Sequence, residues 1–131
     1  MTGRSPAAGL TLDAGALIQL ERGDERVRSI LRRALDGGVP LAVPAGVLAQ
    51  AWRGGPRQAR IARLLADPDV ELVVLDDPTA RAVGILAGRS GCADVVDVSV
   101  ALCAAERRGV VVTTDPGDID AVGLDLAHIA V

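Results

Sequence analysis

Val110-Val111-Val112-Thr113-Thr114-Asp115 is five β-branched residues in a row, closed by an acid. A run of that kind without polar alternation predicts a strand buried on both faces, and a strand so buried belongs in a parallel sheet covered by helices on each side. Working back along the chain, Leu10-Thr11-Leu12 is a second short apolar run, and it too ends on an aspartate, Asp13. Two central strands that finish in the same acid set the frame for everything between them.

That intervening sequence alternates amphipathic and short apolar stretches. Ala14 to Leu20 reads as a helix, and Val27, Ile30, Leu31, Ala34 and Leu35 fall at helical spacing over Asp24 to Leu35, with Gly37-Gly38 as the stop. Leu41-Ala42-Val43 predicts a strand, and Pro44 suits the first turn of a helix running to Trp52. Gly54-Gly55-Pro56 ends that helix and begins another, with Ile61, Leu64 and Leu65 opposite arginines and Asp67-Pro68 as its close. Val70 to Leu75 predicts a strand; Thr79 to Ala87 a helix capped by Asp77 or Thr79; Gly88 to Gly91 a loop. Asp94 to Arg107 predicts a long helix with Val95, Val98, Leu102 and Ala105 inside, and after Pro116 come a short helical turn and an edge strand near Ala127 to Val131. The fold class is therefore α/β, a three-layer α/β/α domain with a central, mainly parallel sheet over residues 10–131 behind a flexible segment, 1–9.

Composition bounds the chemistry. The 131 residues carry 17 acids against 14 cations, a net charge of −3, and every one of the cations is arginine. Without lysine there is no phosphate-binding P-loop and no Schiff base; with Trp52 as the sole aromatic residue there is no platform for stacking bases. The first nine residues lack the apolar stretch of a signal peptide, and no window approaches the ~20 apolar residues that span a bilayer. A cytoplasmic protein with reduced Cys92 and Cys103 and no membrane partner is the expectation.

In parallel sheets the active crevice lies beyond the carboxyl ends of the strands, where strand order reverses. If the two acid-terminated strands are neighbours, Asp13 and Asp115 converge there. Asp94 and Asp97, three apart, share the first turn of the long helix, and Asp118 follows Asp115 by three. Asp94 also suits a helix cap, and Asp118 a cap of the turn after Pro116. Four or five carboxylates crowded together repel, and a divalent cation relieves them. Oxygen donors without His or Cys select Mg²⁺ or Mn²⁺ over Zn²⁺, and such a site suits phosphodiester hydrolysis.

Leu12-Asp13-Ala14, Asp97-Val98-Ser99-Val100-Ala101 and Val112-Thr113-Thr114-Asp115 with Asp118 resemble, in order and spacing, the PIN-domain ribonucleases, above all the VapC-type toxins of bacterial toxin–antitoxin pairs. The resemblance spans residues 10 to 131. It implies a metal-dependent endoribonuclease using Mg²⁺ or Mn²⁺, an RNA substrate, a cognate antitoxin and a homodimer. Matched position by position, Asp13, Asp97 and Asp115 are the catalytic and metal-binding aspartates, with Asp94 and Asp118 as further metal ligands. One position departs: after Val43-Pro44-Ala45-Gly46-Val47-Leu48-Ala49 stands Gln50, where the family usually has glutamate. An amide removes one negative charge, which weakens metal binding. Glu21 is a candidate to replace that charge, and Thr113 a candidate to orient water or RNA. A protein that binds RNA or antitoxin without turnover is the alternative implied by Gln50.

Arg53, Arg57 and Arg60, continued by Arg63, form a candidate stripe for RNA or antitoxin contact, and Trp52 beside them a candidate interface ring. His128 has no partner for triad chemistry. Phospho-accepting receiver domains also gather aspartates at strand ends but need a lysine; haloacid-dehalogenase-like phosphatases need a second aspartate where Gly15 stands. Removing the five site aspartates from the 17 acids leaves 12 against 14 arginines, so the acidity is local and compatible with a nucleic-acid substrate.

Overall fold

The computed structural model of the chain describes residues 9–131; the remainder of the N-terminal segment, 1–8, lies outside the described residues. The strands are β1 (Leu10–Leu12), β2 (Leu41–Pro44), β3 (Val70–Val73), β4 (Val110–Thr113) and β5 (His128–Ala130). They form one sheet in the order β3-β2-β1-β4-β5, every neighbouring pair parallel. The chain builds outward from β1 to β3 on one side and then returns to start β4 on the other. Strand order therefore reverses between β1 and β4, which pair through Leu10 with Val110, Thr11 with Val111 and Leu12 with Val112.

The helices are α1 (Ala14–Glu21), α2 (Glu25–Asp36), α3 (Ala45–Ala51), α4 (Ala59–Ala66), α5 (Asp77–Ser90), α6 (Val95–Glu106) and α7 (Pro116–Asp120). Helix α6 packs on β1, β2 and β4 and is itself covered by α5; α1 packs on β4, with α2, α3 and α4 beside it. The pleat of β1 shows the two layers directly. Leu10 and Leu12 join the main core, while Thr11 between them turns its hydroxyl to the Cys103 sulfur of α6, 3.9 Å away. The main core runs through Leu17, Val27, Leu31, Val47 and Ile61 to Val111 and Val112; a smaller cluster joins Val83, Val98, Ala101 and Val122 under α5.

The α/β/α class and the parallel sheet are as the sequence predicts, with local corrections. Strand β3 ends at Val73, and Val74 and Leu75, expected inside it, are 63% and 55% exposed. It is an edge strand, and a β-branched run alone does not distinguish an edge from the centre. Helix α5 is capped by Asp76, whose carboxylate accepts from the Thr79 N–H, and it continues through the expected loop to Ser90, stopping at left-handed Gly91. On α6 the expected inner residue Val95 is 56% exposed and Ala105 is exposed, whereas Val98, Val100, Ala101, Cys103 and Ala104 are buried. Lying between sheet and α5, this helix has no single apolar stripe to read. Pro44 closes β2 as the residue before α3 rather than sitting in its first turn. Both cysteines are unpaired.

Between α3 and α4 the backbone breaks, and a buried side chain repairs it. Gln58, 2% exposed, closes a short 3₁₀ turn, Pro56–Gln58. Its Oε1 accepts from the backbone N–H groups of Arg53 and Gly54, both at 2.7 Å, and its Nε2 donates to the Ala51 carbonyl at 2.6 Å. Replacing Gln58 by leucine keeps the volume and strands all three backbone groups, so the Gln58→Leu variant is expected to lose about 3 kcal/mol in urea denaturation. A loss below about 1 kcal/mol would show that water satisfies those groups instead.

Candidate functional site

The reversal between β1 and β4 puts Asp13 and Asp115 at adjacent strand ends. Thr113, fully buried as the last residue of β4, joins them: its hydroxyl donates to Asp13 Oδ2 at 2.5 Å and accepts from the Asp115 N–H at 2.9 Å. The backbone N–H of Asp13 also donates to the Val112 carbonyl, continuing the ladder past β1. The other carboxylate oxygen of Asp13 accepts from Ala16 N–H at 2.8 Å, so one buried side chain caps α1 and anchors to β4 together. Helix α1 can start this close to β4 because residue 15 is glycine: a Cβ there would overlap the Thr114 side chain.

The other aspartates arrive on helix starts. Asp94 caps α6, accepting from the N–H groups of Val96 and Asp97 at 2.9 and 3.2 Å. Asp115 caps α7, accepting from Asp118 N–H at 3.3 Å; Asp118, considered from sequence as that cap, instead stands in the first turn. The electrostatics show the five acids acting on one another. The Asp97 carboxyl is pushed up to about 6, first by burial and then by the charges of Asp94, Asp118, Asp13 and Asp115. Asp118 is likewise raised, chiefly by the charge and side-chain hydrogen bond of Asp115. Oxygen donors alone, only partly offset by helix-start N–H groups, fit a hard divalent cation by their chemistry. In this arrangement no three acidic, His or Cys side chains among the described residues stand together as a ligand set.

Not every residue singled out from the sequence comes to this place. Glu21 is the last residue of α1 and Asp13 its cap, so the eight-residue helix holds them about 12 Å apart along its axis. Glu21 is absent from the acids that raise Asp97, and its carbonyl is occupied by the Arg60 guanidinium at 3.1 Å. Gln50 is exposed on α3, which packs against both α1 and α6. Arg53, two residues past α3, is tied to the C-terminus of that helix, donating to the carbonyls of Ala49 and Trp52 at 3.1 and 2.7 Å. Arg57 is exposed on the 3₁₀ turn, and Trp52 is 40% exposed at the end of α3. His128 lies 3.9 Å from Asp120 on the edge strand. Gly15 was not singled out from the sequence as part of the site, and Thr113, a candidate there for orienting water or RNA, is found bridging Asp13 and Asp115. The Gly15–Thr114 contact and the bridging position of Thr113 both depend on which strands become neighbours.

Residues 10–123 match the model of the PIN domain. No curated protein matches the sequence. Among solved structures the chain is similar to one in the crystal structure of FitAcB from Neisseria gonorrhoeae, at 21% identity and a TM-score of 0.60, covering 92% of this chain and 96% of that one. It is also similar to a chain of FitAB bound to the IR36 DNA fragment, at 18% identity and a TM-score of 0.58, covering 92% and 94%. At these identities the likeness is one of fold.

The raised carboxyl makes a testable demand on stability. Folded Asp97 holds its proton to about 6, whereas an unfolded aspartate releases it near pH 4, so stability falls as pH rises through that window and the penalty is complete above it. Without metal, the Asp97→Asn variant is expected to melt at a higher temperature than the parent at neutral pH, with the difference fading as pH falls below about 4. Equal melting temperatures at neutral pH in chelator would refute the crowding.

Proposed function

The chain belongs to the PIN-domain family, and from that membership we propose that it is a metal-dependent endoribonuclease, the toxin of a cytoplasmic toxin–antitoxin pair. The observation that carries the reading is the Asp97 carboxyl, raised to about 6 by burial and by four other aspartates on three elements. Asp13, Asp97 and Asp115, with Asp94 and Asp118 beside them, would hold Mg²⁺ or Mn²⁺, which when bound polarises a phosphate and lowers the pKa of a water. The chain's own residues prepare that place. Thr113 fixes the spacing of Asp13 and Asp115 through one hydroxyl, and the N-termini of α1 and α6 point their dipoles at the acids, offsetting part of their repulsion.

The antitoxin and a second copy of the chain are the partners implied by the family resemblance. Val74, Leu75 and Val95 line one apolar groove of about 260 Å³ beside β3 and α6, an exposed apolar surface that suits pairing of two copies. Arg57, exposed on the 3₁₀ turn, together with Arg53 and Arg60, is the contact proposed for RNA or antitoxin. Among the described residues no helix is long and apolar enough to cross a membrane. The neutral Gln50 on the helix between α1 and α6 favours one second reading, a PIN fold that binds RNA or antitoxin with weakened turnover.

Purified protein is expected to cut RNA only when Mg²⁺ or Mn²⁺ is present. Asp13→Asn or Asp97→Asn should slow cleavage by two orders of magnitude or more, equivalent to about 3 kcal/mol of lost transition-state stabilisation. Cleavage that survives chelation or both substitutions refutes the reading. Gln50→Glu separates the two versions: a large gain in rate means the native site is impaired, and an unchanged rate in an active enzyme means the amide is tolerated.

A further inference from the structure

The charge of this chain is sorted by position. Nine of its 14 arginines fall between residues 22 and 63 against three acids, while the rest of the chain carries five arginines and 14 acids. The fold keeps that division in space, because the helices of residues 22–63 are α2, α3 and most of α4, laid beside α1, whereas acids outside that stretch gather at the starts of α5, α6 and α7. A groove of about 270 Å³ runs between α2 and α4, with Arg28, Arg32, Arg60 and Arg63 on its walls and a single acid, Asp67.

From this arrangement we infer that the α2–α4 face is a docking surface for the sugar-phosphate backbone of RNA, read without base specificity; the inference rests on the ribonuclease reading above. Arg28 and Arg32 are four residues apart on α2, and Arg60 and Arg63 three apart on α4, so each helix carries its two arginines on one face with a backbone rise of about 4.5–6 Å between them. Arg32 and Arg63 are exposed and, among the described residues, have no salt-bridge partner; Arg28 reaches Glu25 at 2.8 Å. Arg60 sits on the last carbonyl of α1, and that eight-residue helix leads back about 12 Å to its cap, Asp13. A strand lying on the arginines therefore has a short path to the carboxylates.

The floor of the groove favours a nucleic acid over a protein segment. Of the four leucines beneath the arginines, Leu20, Leu31 and Leu64 are buried in the core and Leu35 is half-buried, so an amphipathic peptide would find little hydrocarbon to cover beyond Leu35. Four arginines against one acid make the walls strongly cationic, suited to phosphate and indifferent to base.

The test measures binding of a fluorescein-labelled oligouridylate by anisotropy as a function of salt, with chelator present so that binding is read without cleavage. Each phosphate contact on single-stranded RNA contributes about 0.7 to the slope of log affinity against log salt, or about fivefold in affinity at 0.1 M salt relative to 1 M. Arg32→Ala with Arg63→Ala is expected to lower the slope by about 1.4 and affinity by about 25-fold at 0.1 M salt. Arg32→Lys with Arg63→Lys should retain the slope, and Arg81→Ala with Arg89→Ala, on α5 in the acidic half, should leave binding unchanged. An unchanged slope in the first pair, or an equal fall in the α5 pair, overturns the surface. Binding of a polyglutamate peptide but not of oligouridylate overturns it in favour of a protein partner. Cleavage separates the two claims: RNA cut with metal but bound independently of Arg32 and Arg63 removes the surface alone, whereas arginine-dependent binding with no cleavage by the metal-loaded protein removes the ribonuclease reading alone.

Discussion

Repulsion among like charges at one corner of the sheet is the constraint the rest of the structure answers to. Five carboxylates lie near enough to where strand order reverses for four of them to raise the fifth by their charge, and the fold gives most of them a structural task. Asp13 caps α1, Asp94 caps α6 and Asp115 caps α7, so each is oriented by backbone N–H groups that also offset its charge. Asp97, which caps nothing, carries the residue of the conflict as a carboxyl reluctant to ionise. The helix starts are thus both the scaffold of the site and part of its electrostatic compensation.

A single hydroxyl decides how well that corner is defined. Thr113 is buried and bonded on both sides, to the carboxylate ending one strand and to the backbone following another. The backbone there has no slack, since Gly15 allows α1 to begin against Thr114. Away from the corner the molecule relaxes: β3 and β5 are thin, partly exposed edges, and the arginine-rich helices are solvated over their outer faces.

Much of this was legible in the residues. β-branched runs ending in aspartate mark central strands and their carboxyl ends together, which is why Asp13 and Asp115 can be paired before any coordinates exist. Asp94 at a helix start was readable as a cap because capping is local chemistry. What escaped depends on neighbours remote in sequence. Val95 follows the same periodicity as Val98, and only the presence of α5 above α6 determines which of them is covered. Glu21 is close to Asp13 in sequence, yet a rigid helix separates them. Gln58 resembles any surface glutamine until the broken backbone between α3 and α4 closes around it.

The bond between Thr113 and Asp13 joins residues 100 positions apart. Nearly the whole chain must be synthesised before it can form, and β1 must wait through three crossovers for its second neighbour. Contacts of such long sequence separation close late in folding. A nascent chain, or one truncated before β4, therefore contains Asp13, Asp94 and Asp97 but not the corner that gathers them. The carboxylates come within reach of one another only once synthesis has passed Asp115 and the sheet has closed, so the order of synthesis fixes the last step in assembling that corner.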